Sequence, residues 1–185
     1  SDLYSGFSGQ SGAPGVGGAQ GNWGSMWSDV TQTTAANTPT AITFDTIDAA
    51  STGVNYSSGS HVNFDVTGVY NIQFSAQCRN TGGGGPGETI WFWLKQNGNN
   101  VADTTGIVTL QASAPFAIVS WNYVLPITAG DYVELYWRTD NANIELEYVA
   151  AADGYTAAPS IILTATQVMY TQSGYRSEEH TSELQ

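Results

Sequence analysis

Gly68-Val69-Tyr70-Asn71-Ile72-Gln73-Phe74-Ser75-Ala76-Gln77 is the stretch on which the fold turns. Tyr70, Ile72, Phe74 and Ala76 alternate with Asn71, Gln73, Ser75 and Gln77. Successive side chains of a strand point to opposite faces, so this period of two predicts a half-buried β-strand. The alternation returns in Val133-Glu134-Leu135-Tyr136-Trp137. Tyr70, Ile72, Phe74, Val133, Leu135 and Trp137 are therefore expected between two sheets. Asn71, Gln73, Tyr132, Glu134 and Tyr136 are expected on the opposite faces. A slip of one residue would invert every assignment.

Working outward, strands are predicted at 27–34, 41–44 and 62–64 on one side, and at 89–96, 116–126, 131–138, 144–148 and 161–170 on the other. Turn signals separate them at Asn37-Thr38-Pro39, Asn97-Gly98, Thr128-Ala129-Gly130 and Asp153-Gly154. The runs 116–126 and 131–138 read as one hairpin. Residues 82–87 are glycine-rich but lack the Lys-Ser/Thr ending of a phosphate-binding loop, and read as a surface loop. No helical period persists for about ten residues. About eight to ten short strands with regular turns predict an all-β, two-sheet jelly-roll sandwich.

Upstream, glycine falls at Gly6, Gly9, Gly12, Gly15, Gly18, Gly21 and Gly24, with Gly17 alone out of phase. A strict period of three is required where three polyproline-II-like chains wind together, because only a hydrogen atom fits at the axis. A Gly/Ser-rich linker shares the composition but has no reason for the period. Residues 4–24 are thus expected to form a short collagen-like stalk of three chains. Pro14 is its single imino acid, so the stalk is expected to be weak alone and to depend on the domain that follows.

The two ends read as foreign. Residues 176–185, Arg-Ser-Glu-Glu-His-Thr-Ser-Glu-Leu-Gln, match codon for codon the translation of a short-read sequencing adapter, and Ser1-Asp2-Leu3 match the end of the opposite one. Leu3 also stands where the register requires glycine. The organisation expected is an adapter remnant at 1–3, a stalk at 4–24, a head at 25–172 and a disordered tail at 173–185, of which 176–185 are adapter-derived. Such segments are set aside in reasoning about a fold.

The net charge of −12 falls to −10 without Arg176, Glu178, Glu179 and Glu183, and the remaining bases are Arg79, Lys95 and Arg138. Nucleic-acid binding rests on clustered Lys and Arg, so no such partner is expected. No apolar run reaches about 18 residues, so no membrane insertion is expected. Cys78 is the one cysteine and reads as a packed or half-exposed thiol. His61, in Ser-Gly-Ser-His, reads as a turn or strand-start residue and not a base. Asp45, Asp48, Glu88, Asp140, Glu145, Glu147 and Asp153 could formally supply a carboxylate pair, but most acids are solvated surface. No catalytic residue, metal ligand or cofactor site is assigned, and the chain is expected not to be an enzyme.

Trp91 and Trp93 share one strand face, with Phe92 and Leu94 on the other. One face is core. The other is a subunit seam or an exposed platform on which a sugar could stack.

A stalk of this kind followed by Phe64 and Gly68-Val69-Tyr70-Asn71-Ile72-Gln73-Phe74, then Gly130-Asp131-Tyr132-Val133-Glu134-Leu135, resembles the globular head of the C1q and tumour-necrosis-factor superfamily. The resemblance covers 23–170. More narrowly, four stretches are similar to head domains encoded by tailed bacteriophages. They are Gly21-Asn22-Trp23-Gly24-Ser25-Met26-Trp27, Trp121-Asn122-Tyr123, Tyr136-Trp137 and Gln167-Val168-Met169-Tyr170-Thr171-Gln172. The resemblance implies a homotrimeric jelly roll with a structural or receptor-binding role on a virion, as a fibre or surface appendage. Its implied partners are its own copies, other virion proteins and a host-surface receptor or glycan. The alternative is a secreted or cell-surface bacterial adhesin or carbohydrate-binding protein with the same head. The family sheet that packs around a three-fold axis would here carry Tyr132, Glu134, Tyr136 and Arg138. No family-type cysteine pair is present, and no acidic cluster maps onto the calcium site that some members carry.

Overall fold

A computed structural model describes residues 21–82 and 87–169; the register glycines from Gly6 to Gly18, both end segments and most of the 82–87 loop lie outside them. The described chain forms strands in two antiparallel sheets. In order they are β1 (Trp23–Ser28), β2 (Gln32–Thr33), β3 (Thr40–Ala41), β4 (Thr46–Ile47), β5 (Val54–Ser57), β6 (His61–Phe64), β7 (Gly68–Asn80), β8 (Glu88–Gln96), β9 (Asn99–Asn100), β10 (Gly106–Leu110), β11 (Phe116–Ile127), β12 (Tyr132–Thr139), β13 (Ile144–Leu146) and β14 (Ile161–Met169). Four of these are two-residue pieces, which leaves ten longer strands.

The front sheet is organised around β7. It has β11 on one edge, while β14 and β13 share the other; β1 and β4 extend the sheet beyond β14, and β2 beyond β13. The back sheet runs β10-β8-β12-β6-β5, with β3 on β12 and β9 on β8. Between them lies the core. Tyr70, Ile72, Phe74, Ala76 and Cys78 of β7 are buried, and so are Ile90, Phe92 and Leu94 of β8 and Val133, Leu135 and Trp137 of β12. Phe74 meets Phe92 across the sandwich at 5.3 Å between ring centroids, and Phe64 meets Tyr70 edge-on at 4.7 Å. Tyr70 spends its hydroxyl on the Val66 carbonyl at 2.8 Å, so its ring is buried without an orphaned polar group. The register expected from the period-two runs is the one observed.

Three local expectations need correction. Residues 27–34 are not one strand: β1 ends at Ser28, where Asp45 accepts from the Ser28 hydroxyl at 3.1 Å and the Asp29 amide at 2.9 Å. Beyond that bend the Gln32 side chain takes the place of a strand neighbour, donating to the Thr43 carbonyl and accepting from the Thr43 amide, both at 2.9 Å. Residues 41–44 are extended, but only Thr40–Ala41 pairs as a strand. Most consequentially, 116–126 and 131–138 are not a hairpin. β11 pairs with β7 in the front sheet, and β12 lies between β8 and β6 in the back sheet. Residues 128–131 carry the chain across. Gly130 has φ +91° and donates to the Phe64 carbonyl at 2.8 Å, while the Thr128 amide donates to the Asp131 carboxylate at 2.9 Å. A sandwich corner and a hairpin present the same turn chemistry in sequence.

Two register glycines are described. Gly21 has φ +81°, far from the polyproline-II value of about −75°. Gly24 lies within β1, paired with Ala165, where an added Cβ would stand 2.9 Å from Val54 Cβ and Cγ1. Close packing of β1 on Val54 is reason enough for a glycine there. The first head strand starts at Trp23.

Candidate functional site

The outward face of the back sheet brings together all six residues singled out in the sequence for a seam or a ligand. Inward Ile90, Phe92 and Leu94 force Trp91, Trp93 and Lys95 outward on β8, and inward Val133, Leu135 and Trp137 do the same to Tyr132, Glu134, Tyr136 and Arg138 on β12. Strand register then sets Trp91 opposite Arg138, Trp93 opposite Tyr136 and Lys95 opposite Glu134. The Arg138 guanidinium lies 4.6 Å from the centre of the Trp91 ring, and the Lys95 ammonium 3.9 Å from that of Tyr136. Such contacts contribute about 0.5–1 kcal/mol at exposed sites. Trp93 and Tyr136 pack with centroids 5.7 Å apart.

Each member is held in place. The Trp93 indole N–H donates to Asn100 Oδ1 at 3.0 Å, Arg138 donates to Asn37 Oδ1, and His61 stacks on Tyr132 at 3.9 Å. Glu134 is only 6% exposed; it accepts from the Ser60 hydroxyl at 2.8 Å and lies 3.5 Å from His61 Nε2. His61 thus opens β6 as a packing partner of Tyr132.

A cleft of about 350 Å³ opens beside the two indoles, lined also by Asn100, Asp103, Thr105 and Arg138. Its loop is fastened to the core through Thr104. That hydroxyl accepts from the Leu94 amide at 3.1 Å and donates to the Val101 carbonyl at 2.8 Å, and the Thr104 carbonyl accepts from Tyr123 at 2.8 Å. Asn100, Asp103 and Thr105 were not expected from the sequence. The Asn97-Gly98 turn does carry a usable signal, because a two-residue hairpin folds Asn100 back opposite Lys95.

The remaining reactive groups have structural roles. Burial pushes the Cys78 thiol up to about 12, so it stays protonated and packed. Asp45 holds the bend after β1, Asp48 accepts from the Ala50 amide at 2.8 Å, and Asp140 accepts from the Thr89 amide at 2.8 Å. Asp153 occupies a left-handed turn position before Gly154. Glu145 and Glu147 both face Arg79, whose guanidinium also lies 5.5 Å from the Phe116 ring. Glu88 accepts from the Asn143 side-chain Nδ2 at 3.2 Å. Among the described residues no three of His, Cys, Asp and Glu gather as a metal-binding group.

The outward face of the front sheet is different in kind. One row across β11, β7, β14 and β1 reads Asn122, Gln73, Thr164, Ser25; the next reads Ser120, Ser75, Ile162, Trp27. Edge strand β11 exposes Phe116 (64%), Ile118 (69%) and Val124 (59%) on this face, and Trp121 (53%), in register with Phe74 on the other face, at the open edge. Between β10 and β11 a cleft of about 280 Å³ reaches down to Phe74 and Phe92. Compared with known proteins, the chain matches no family model and no curated sequence.

Proposed function

We propose that this chain is a non-catalytic, homotrimeric jelly-roll head of the C1q/TNF kind, carried on a collagen-like stalk, and that it serves as a structural and receptor-binding module of a bacteriophage virion. The observation that carries the self-association is where the exposed apolar residues lie. Seven of the ten large hydrophobics left exposed fall on β11 and β14: Phe116, Ile118, Trp121, Val124, Ile162, Val168 and Met169. A long apolar edge strand is an aggregation template unless something covers it. The covering chain must also tolerate the charge of its partner. Across β1, β7, β11 and β14 the outward side chains carry one charge, Arg79 at the end of β7, in a chain of net −12. That face suits a second copy, since an uncharged, mixed polar and apolar surface can be desolvated cheaply.

The count of three rests on the glycine period and on the family resemblance. The seam assigned here is the front sheet with β11, and not the Tyr132, Glu134, Tyr136 and Arg138 face expected from the sequence. Those four side chains already meet His61, Ser60, Lys95, Trp91 and Asn37 within their own subunit.

Sedimentation equilibrium of the full chain at micromolar concentration is expected to return three chain masses. Ile118→Asp combined with Val124→Asp should dissociate the assembly while leaving the far-UV circular dichroism unchanged. A monomer mass for the unmodified chain would overturn the self-association. Capsid or tail genes are expected beside the full-length gene, and a signal peptide at its start would overturn the virion assignment.

A further inference from the structure

We infer that the cleft beside Trp91 and Trp93 is a binding site for a neutral pyranose sugar. This deepens the receptor-binding part of the proposed function and needs that arrangement only in leaving the back sheet facing outward. Trp91 and Trp93 are two positions apart on one strand face, about 6.7 Å along β8. Both rings are oriented before any ligand arrives, Trp93 by Asn100 and Trp91 by the guanidinium of Arg138. A ligand therefore meets a fixed apolar floor and spends little on ordering it. The cleft of about 350 Å³ falls at the small end of ligand sites, enough for one or two sugar rings.

Its polar groups suit hydroxyls. Asp103 only accepts, Arg138 only donates, and Asn100 and Thr105 do both. A pyranose presents an apolar C–H face to an indole and a ring of hydroxyls to donors and acceptors at the edge. The loop that carries Asp103 does not adapt, because Thr104 ties it to Leu94, Val101 and Tyr123. Asp103 itself is held at φ +60°, an uncommon conformation for a side-chain-bearing residue.

Asp103 and Arg138 both line the cleft, so their charges balance locally and leave no net cation for a uronate or sialate, while the chain as a whole carries −12 and repels an acidic sugar at longer range. The same field disfavours a stacked nucleotide, whose phosphates need clustered bases.

The test is titration of the full chain with methyl glycosides of glucose, galactose, mannose and N-acetylglucosamine, followed by tryptophan fluorescence and calorimetry, with glucuronic acid as the acidic counterpart. Saturable binding of at least one neutral glycoside, tighter than the uronate, is expected. Trp93→Ala and Trp91→Ala should each weaken it at least tenfold. Asp103→Gly, which keeps the left-handed backbone and deletes only the carboxylate, should also weaken it without altering the fold. Three results would overturn the site: no saturable binding to any of the four, preference for the uronate, or binding that survives both tryptophan substitutions. Sedimentation of the same samples keeps this outcome separate from the trimer, because neither indole lies on the front sheet.

Discussion

Phe92→Ala tests the packing between the two sheets most directly. Phe92 is 1% exposed and stacks at a tilt on Phe74 of the opposite sheet, 5.3 Å away. Burying a phenylalanine ring contributes about 1.5–3 kcal/mol, and an aromatic pair of this separation adds about 0.5–1.5 kcal/mol. The void left behind would raise the total to about 3–5 kcal/mol. The cleft between β10 and β11 already reaches Phe92, so water and neighbouring side chains can fill part of that void. The expected loss is therefore near the lower limit, about 3 kcal/mol. At about 2–4 °C per kcal/mol for a domain of this size, the melting temperature should fall by about 6–12 °C. Lys95→Ala, on the outer face of the same strand, removes one exposed cation–π contact worth about 0.5–1 kcal/mol. Both are compared by urea unfolding at one protein concentration, since the proposed assembly would make stability concentration-dependent. A Phe92→Ala midpoint no lower than that of Lys95→Ala would refute the register of β8.

Asp131→Asn is expected to destabilise the chain at pH 7. Burial pushes the Asp131 carboxyl up, but hydrogen bonds from the Asn97 side chain, the Thr128 backbone and the Gln96 side chain outweigh it and hold it below the usual carboxylate range. Its contribution is complete above the unfolded value near pH 4 and is lost as pH falls through the lower folded value. The urea-midpoint gap to the variant should therefore close below about pH 4. Cys78, with its thiol pushed up to about 12 by burial, should resist iodoacetamide in the native chain at pH 8 and react once unfolded, as intact mass would record.

The central strands were legible because period-two alternation is a direct consequence of burying one face. Tyr70 to Cys78 show it without interruption, and Val133 to Trp137 keep it in the direction of the side chains although Glu134 is itself buried on the outer face. What alternation cannot convey is which sheet a strand joins, because both sheets of a sandwich bury one face in the same way. The false hairpin at 116–138 arose there. The five-residue strand Gly106–Leu110 was missed altogether, since its burial alternates but its residue types do not: apolar Ile107 is exposed and buried Gly106 has no side chain.

The site was legible in part for the same reason. That Trp91 and Trp93 share a face opposite Phe92 and Leu94 is local, and the structure keeps it. That Arg138 lies on Trp91 and Tyr136 beside Trp93 depends on the register of β12 against β8, which no single strand encodes. The same dependence explains why seam and ligand candidates, separate in sequence, share one surface.

The division between the two outer faces has an electrostatic cause. In the proposed trimer three chains of net −12 would bring like charge together, so a face at the shared axis would need to be nearly free of it. In the front sheet only Arg79 and Glu145 are charged, and they face each other at one end, 3.7 Å apart, with Glu147 beside them. The back sheet keeps its bases apart from such pairing: Lys95 and Arg138 rest on aromatic rings. The guanidinium over the indole donates from one edge to Asn37, and Arg138 also lines the cleft. Held by a cation–π contact and by Asn37 and not by a carboxylate, Arg138 would have no ion pair to break before donating to a hydroxyl. In the proposed arrangement the nearly uncharged face meets its own copies, and the face that keeps donors beside aromatic rings is left for a ligand.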